Sequence, residues 1–217
     1  MDLVIGCRTL ENELNTAIKA CGKSCDIRWI DAGLHNVRER LNGALQALLD
    51  DSGGYERVLM ATGFCGNAVA GLRTGPAPVI FPRVDDCTSF LFGGCKRRQN
   101  FRDAYFLTEG WLKGEKNIWA EYQYSLQKYG ERRTSRIFQA MFAHYRRIVL
   151  LDTGCYPIGP SLAQARRIAE TFSLECEVIP VDISYLERLL KGPWREEAFL
   201  TVRPDTVITA KDLTVAG

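Results

Sequence analysis

Short apolar runs that stop at glycine or proline alternate with stretches whose aliphatic residues recur every third or fourth position. This alternation constrains the fold more than any other property of the chain. Leu3-Val4-Ile5 ends at Gly6, the pattern of a strand buried on both faces. Leu10, Leu14 and Ile18 then line one face of a helix. Ile27-Arg28-Trp29-Ile30 reads as a second strand, and Val37, Leu41, Leu45 and Leu48 mark a second helix that stops before Ser52-Gly53-Gly54. Val58-Leu59-Met60-Ala61 is a third strand leading into Gly63. Residues 69–72 read as a short helix closed by Gly75-Pro76, and Val79-Ile80-Phe81 is a fourth strand stopped by Pro82. Strands that alternate with helices predict an α/β fold, a Rossmann-like parallel sheet covered by helices.

The middle of the chain breaks this rhythm. Residues 94–146 are rich in Arg, Lys, Tyr and Trp, and read as a helical, aromatic insertion. Ala104 to Leu107 suits a strand, and 115–129 and 131–145 suit two helices broken at Gly130. The aromatics either wall a pocket or pack the helices onto the sheet. The α/β pattern returns with a strand at 148–151, a helical stripe over 162–172, a strand at 177–180, a helix over 183–190 and a last strand at 199–202. A single α/β domain over 1–217, elaborated at 94–146, is the simplest organisation.

Composition narrows the function classes. A chain of 217 residues with 46% hydrophobic residues builds a core without staples. Its net charge of +2 argues against a dedicated nucleic-acid binder. The start, Met1-Asp2-Leu3-Val4, carries no targeting signal, and no apolar run approaches the ~18 residues of a membrane helix. A cytoplasmic protein without membrane or nucleic-acid partners is expected. In that reducing setting the eight cysteines are thiols, metal ligands or catalytic groups rather than disulfides.

Four of the eight fall at the ends of predicted strands: Cys7, Cys65, Cys87 and Cys155. Chance would place about 0.7 cysteines in such windows, and ligands of open parallel sheets bind outside the carboxyl ends of strands. Converging thiolates hold zinc, hold an iron–sulfur cluster, or serve as a nucleophile or redox pair. Their plainer use is packing, because free cysteine is commonly just buried. Cys21, Cys25, Cys95 and Cys176 all suit packing, although Cys95, after Gly93-Gly94, is placed where it could also lie near the site.

The thiols have suggestive neighbours. Gly63, Gly66 and Asn67 surround Cys65 in a strand-to-helix turn where backbone N–H groups can approach a ligand, so they are candidate cofactor-binding residues. Arg83 is a candidate for binding a carboxylate or phosphate, and Asp86 for accepting a proton. A plain Arg–Asp ion pair explains both equally well. His35 and His144 exhaust the imidazoles, and surface or capping roles suit both. A hydrolase triad has no placed histidine to build on.

Taken together, the chain resembles the bacterial and archaeal family of domain of unknown function 1638. The stretches that carry the likeness are Ile5-Gly6-Cys7 with the helix holding Glu13, Gly63-Phe64-Cys65-Gly66-Asn67, Gly71-Leu72, Pro82-Arg83-Val84-Asp85-Asp86-Cys87 with 90–93, Tyr105 to Trp111, and Asp152-Thr153-Gly154. The resemblance implies cysteines at positions 7, 65 and 87 with Arg83 and Asp86 beside them, in a setting of corrinoid-dependent methyl transfer. If Cys155 stands outside the family pattern, three ligands rather than four favour an open metal site.

Three functions are therefore expected. The first is a metal–thiolate enzyme in which Cys7, Cys65, Cys87 and Cys155 hold a 4Fe-4S cluster or zinc (Zn) and act on a small anionic substrate. The second is an accessory protein that delivers a metal, corrinoid or thiol to a partner corrinoid methyltransferase. The sequence lacks Asp-x-His-x-x-Gly, which disfavours corrinoid bound through a histidine. The third is a metal-free enzyme with Cys65 as nucleophile.

Overall fold

The computed structural model describes residues 1–214, with the side chains of Asn36, Cys95 and Lys96 left out of the description. In chain order the elements are β1 (Asp2–Cys7), α1 (Glu11–Cys21), β2 (Cys25–Ile30), α2 (Arg38–Asp50), β3 (Val58–Ala61), β4 (Val79–Pro82), α3 (Cys87–Leu91) and α4 (Cys95–Arg98). Then follow β5 (Ala104–Leu107), α5 (Glu109–Lys113), α6 (Ile118–Tyr129), α7 (Glu131–Phe142), β6 (Arg147–Asp152), α8 (Ile158–Phe172), β7 (Glu175–Pro180), α9 (Ser184–Lys191) and β8 (Phe199–Val202). The expected α/β architecture, parallel strands covered by helices, is what the chain adopts.

The chain divides into two compact units, Met1–Arg98 with Asp182–Gly217, and Gln99–Val181. The first contains a five-stranded sheet in the order β2-β1-β3-β4-β8. Its first four strands run parallel and β8 pairs antiparallel to β4. The second contains a parallel sheet in the order β5-β6-β7. Of the elaboration expected over 94–146, residues 99–146 fall in the second unit, which continues to 181. The strands at 148–151 and 177–180 join β5 there instead of extending the first sheet. Periodicity identifies a buried strand but carries no information about which sheet it enters.

In the first unit, all six residues of β1 are buried, which suits the central position of this strand. Leu3, Ile5, Met60, Val79 and Phe81 pack against Leu41, Leu45 and Leu49 of α2. Each such side chain contributes about 1.5–3 kcal/mol by leaving water. Helix α1 buries Leu14 and Ala17 and ends at Gly22, whose left-handed backbone (φ +60) lets its N–H reach the Ile18 and Lys19 carbonyls. Asp2, at the start of β1, is buried between Lys23 and Arg57, each 2.6 Å from its carboxylate.

In the second unit, Phe138, Phe142 and Phe172 stack beside Tyr122, Tyr105 and Tyr145. These aromatics do pack helices onto the sheet, and a cavity of about 460 Å³ opens beside Phe138, Phe142 and Phe172. No helix among the described residues is long and apolar enough to cross a membrane.

Candidate metal centre

The sheet of the first unit reverses its winding direction at β1. From β1 the chain goes to β2 on one side, then returns to β3 and β4 on the other. A crevice forms outside the carboxyl ends of strands at such a point. Each of the four neighbouring strands there delivers one soft donor just beyond its last residues or at its end: His35 after β2, Cys7 at the end of β1, Cys65 after β3 and Cys87 after β4.

Local chemistry places each side chain. Asp31 follows β2 and its carboxylate accepts from the Gly33 N–H at 2.7 Å, winding 32–36 into a tight 3-10 turn. His35 Nδ1 lies 3.1 Å from the Ala32 carbonyl oxygen. A carbonyl only accepts, so Nδ1–H donates to it. Cys7 is fully buried, and the Thr9 hydroxyl donates to its sulfur at 3.0 Å.

Cys65 stands in an unusual stretch of backbone. Cys65, Gly66 and Asn67 all have positive φ, +47, +63 and +63. The short helix expected at 69–72 does not form; residues 65–71 make turns instead. Left-handed geometry suits glycine and asparagine and is strained at cysteine. The stretch is pinned to the next strand exit by the Phe64 N–H to Val84 O (2.9 Å) and the Cys65 N–H to Asp85 O (2.7 Å). Gly63 makes that approach possible, because a β-carbon there would lie 2.5 Å from the Asp86 Cα. The Thr62 hydroxyl lies 3.6 Å from the Cys65 sulfur.

Cys87 opens α3. Asp86 caps this helix, accepting from the Ser89 N–H at 2.8 Å and the Thr88 hydroxyl at 2.7 Å. The other carboxylate oxygen of Asp86 pairs with Arg98 at 3.0 Å. The thiols of Cys65 and Cys7 both hydrogen-bond to the Cys87 sulfur, and this holds the Cys87 thiol well below its ordinary range. Burial opposes the shift, while His35 and the Thr9 hydroxyl add to it. Cys7 and Cys65 are pushed well above the ordinary thiol range, first by donating to Cys87 and then by burial. Ligand atoms of Cys7, His35 and Cys87 all lie within 4.8 Å of one another, a group that could hold a metal ion.

The structure therefore brings together three of the four cysteines singled out by sequence, Cys7, Cys65 and Cys87. Cys155 belongs to the second unit, at the exit of β6, where its thiol donates to the Thr153 carbonyl at 3.5 Å. The Cys95 side chain lies outside the described residues. Arg83 and Asp86 are occupied by structural bonds. The Arg83 guanidinium donates to the carbonyls of Glu196 (2.7 Å), Asp212 (3.2 Å) and Thr214 (2.9 Å), fastening β4 to the last described residues. Asp86 is a helix cap paired with Arg98. Gly63 serves backbone packing, and Gly66 with Asn67 completes the left-handed run.

His35, expected at the surface or in a cap, is half-buried, with a ring nitrogen within 4.8 Å of the Cys7 and Cys87 sulfurs. The signal was present: His35 follows β2 as each cysteine follows its strand, and β2 neighbours β1. The sequence model of the family described as "Protein of unknown function (DUF1638)" matches residues 29–190. No curated protein and no solved structure matches the chain.

Proposed function

We propose that this chain, which belongs to the DUF1638 family, is a metal–thiolate enzyme whose centre is held by Cys7, Cys65 and Cys87. The observation that carries this reading is that ligand atoms of Cys7, His35 and Cys87, from three separate strand exits, lie within 4.8 Å of one another at the sheet's switch point, with Cys65 beside Cys87. Packing alone gives no reason for three soft donors and an imidazole to converge. Thiolates bind zinc or iron–sulfur clusters and not hard cations. The metal would supply Lewis acidity to a substrate atom at an open coordination position. The chain's own part is to hold the thiolates and to orient the imidazole. Arg83 is committed to carbonyls and is not counted as an anion site, so the proposal is a small molecule able to reach a metal.

Metal and acid-labile sulfide analysis of anaerobically purified protein tests this directly. The expected result is about one metal centre per chain, lost or weakened in Cys7→Ala and Cys87→Ala. Metal-free protein that stays folded and does not take up added Zn2+ or iron would refute it.

A metal-free cysteine enzyme is the second reading, favoured by the depressed Cys87 thiol. Its nucleophile would be one of the clustered thiols, Cys65 by the sequence reading. Rapid alkylation confined to one of Cys7, Cys65 and Cys87 in a protein without metal would favour it.

A further inference from the structure

We propose that the centre is a single Zn2+ resident on Cys7, Cys87 and His35, with Cys65 as a fourth ligand that exchanges. This rests on the metal–thiolate reading above and names which residues keep the metal and which one yields.

The size of the donor group selects one ion over a cluster. Two sulfurs bound to one zinc at about 2.3 Å and a tetrahedral angle lie about 3.8 Å apart, and a sulfur and a nitrogen about 3.5 Å apart. Cys7, His35 and Cys87 present their ligand atoms within 4.8 Å of one another, so each needs to move little to meet a common centre. A 4Fe-4S cluster binds each cysteine to a different iron and needs a wider ring of sulfurs. The imidazole points the same way, since two thiolates and one histidine with a further position form a recurrent zinc donor set.

His35 is prepared for ligation. Its Nδ1–H is held by the Ala32 carbonyl, which fixes the ring and, in the neutral form, puts the lone pair on Nε2. Ligating histidines commonly donate their other N–H to a carbonyl in this way. The turn that carries it is itself fixed by the Asp31 carboxylate.

Cys65 differs from the other donors in two respects. It joins the group through Cys87, and it is not part of the mutually close set of Cys7, His35 and Cys87. It is also the one donor on left-handed backbone, with φ +47. Such a residue resists the small adjustments that bring a sulfur fully onto a metal. The position it occupies is the one an incoming substrate takes.

Titration of the purified full-length chain with Co2+, competed with Zn2+, tests this without an activity assay. Wild type is expected to bind one Co2+ with a tetrahedral absorption pattern and strong sulfur-to-cobalt charge transfer. His35→Ala is expected to weaken binding about 10- to 100-fold or more. Cys65→Ala should keep one Co2+ with affinity within about tenfold, and lose roughly a third of the charge-transfer intensity as one thiolate of three departs. His35→Cys guards against a folding defect in the alanine variant, and should raise that intensity by about a third. Unchanged binding and spectrum in both His35 variants would overturn the inference. So would a Cys65→Ala protein as metal-free as Cys87→Ala, or iron with matching sulfide in the native protein. Failure of wild type to bind Co2+, Zn2+ or iron would instead sink the metal–thiolate reading itself.

Discussion

Gly63 and Asp86 meet backbone to backbone: a β-carbon on Gly63 would lie 2.5 Å from the Asp86 Cα and 2.6 Å from its amide nitrogen. This contact sets the exit of β3 against the exit of β4, and so brings Cys65 to Cys87. Gly63→Ala should cost about 1–3 kcal/mol, the usual scale for forcing an extra methyl into packed structure. Urea unfolding measures it. A variant as stable as wild type would mean that the two exits separate without penalty.

Asp86 is expected to act as a cap. Asp86→Ala should lower stability by about 1 kcal/mol through loss of the Ser89 contact. The pair with Arg98 adds little, because both side chains are about one-third exposed (38% and 34%). Asp86→Asn retains an accepting oxygen and should recover most of the loss. If Asn were as damaging as Ala in the same unfolding experiment, charge rather than capping would be the contribution.

Most of the fold was legible in sequence because hydrophobic periodicity reports burial directly. The runs that became β1, β3, β4 and β6 are buried along their length except at the ends of β6, and no other element tolerates such runs as well. The grouping of β6 and β7 with β5 was not legible, since pairing partners are chosen by tertiary packing. Three thiols of the site were found by the strand-exit rule. His35 was missed because the rule was applied to cysteines alone, although β2 flanks β1. The roles of Arg83 and Asp86 depend on backbone carbonyls and amides that come close only after folding, and no spacing encodes those.

Stability should fall at acid pH partly through Asp2. Burial pushes its carboxyl up, but hydrogen bonds and charges from Lys23 and Arg57 outweigh this, so its pKa lies below the ordinary value. The folded state then binds the proton less readily than the unfolded state. The contribution is fully present above the unfolded value of about 3.9 and is lost as pH falls through the folded one. Asp2→Asn should be less stable than wild type by about 2–3 kcal/mol near neutral pH, since it strands two buried-side cations. That gap should narrow below about pH 4. Denaturant titrations across pH check the sign, and a gap that widens in acid would contradict the assignment.

Arg83 should hold the C-terminal segment. Its Nε and Nη1 donate to the carbonyls of Glu196, Asp212 and Thr214. Arg83→Ala should speed amide hydrogen exchange over 208–214 about tenfold, corresponding to roughly 1–1.5 kcal/mol of local stability. Unchanged exchange there would mean that the carbonyl contacts of Arg83 do not hold the segment.

X-ray absorption at the metal edge of the anaerobically purified protein tests the central claim most directly. The account predicts a first shell dominated by sulfur at about 2.3 Å with one nitrogen at about 2.0–2.1 Å, and loss of the nitrogen in His35→Cys. A shell of oxygen and nitrogen alone, or a well-folded protein with no metal at all, would contradict it.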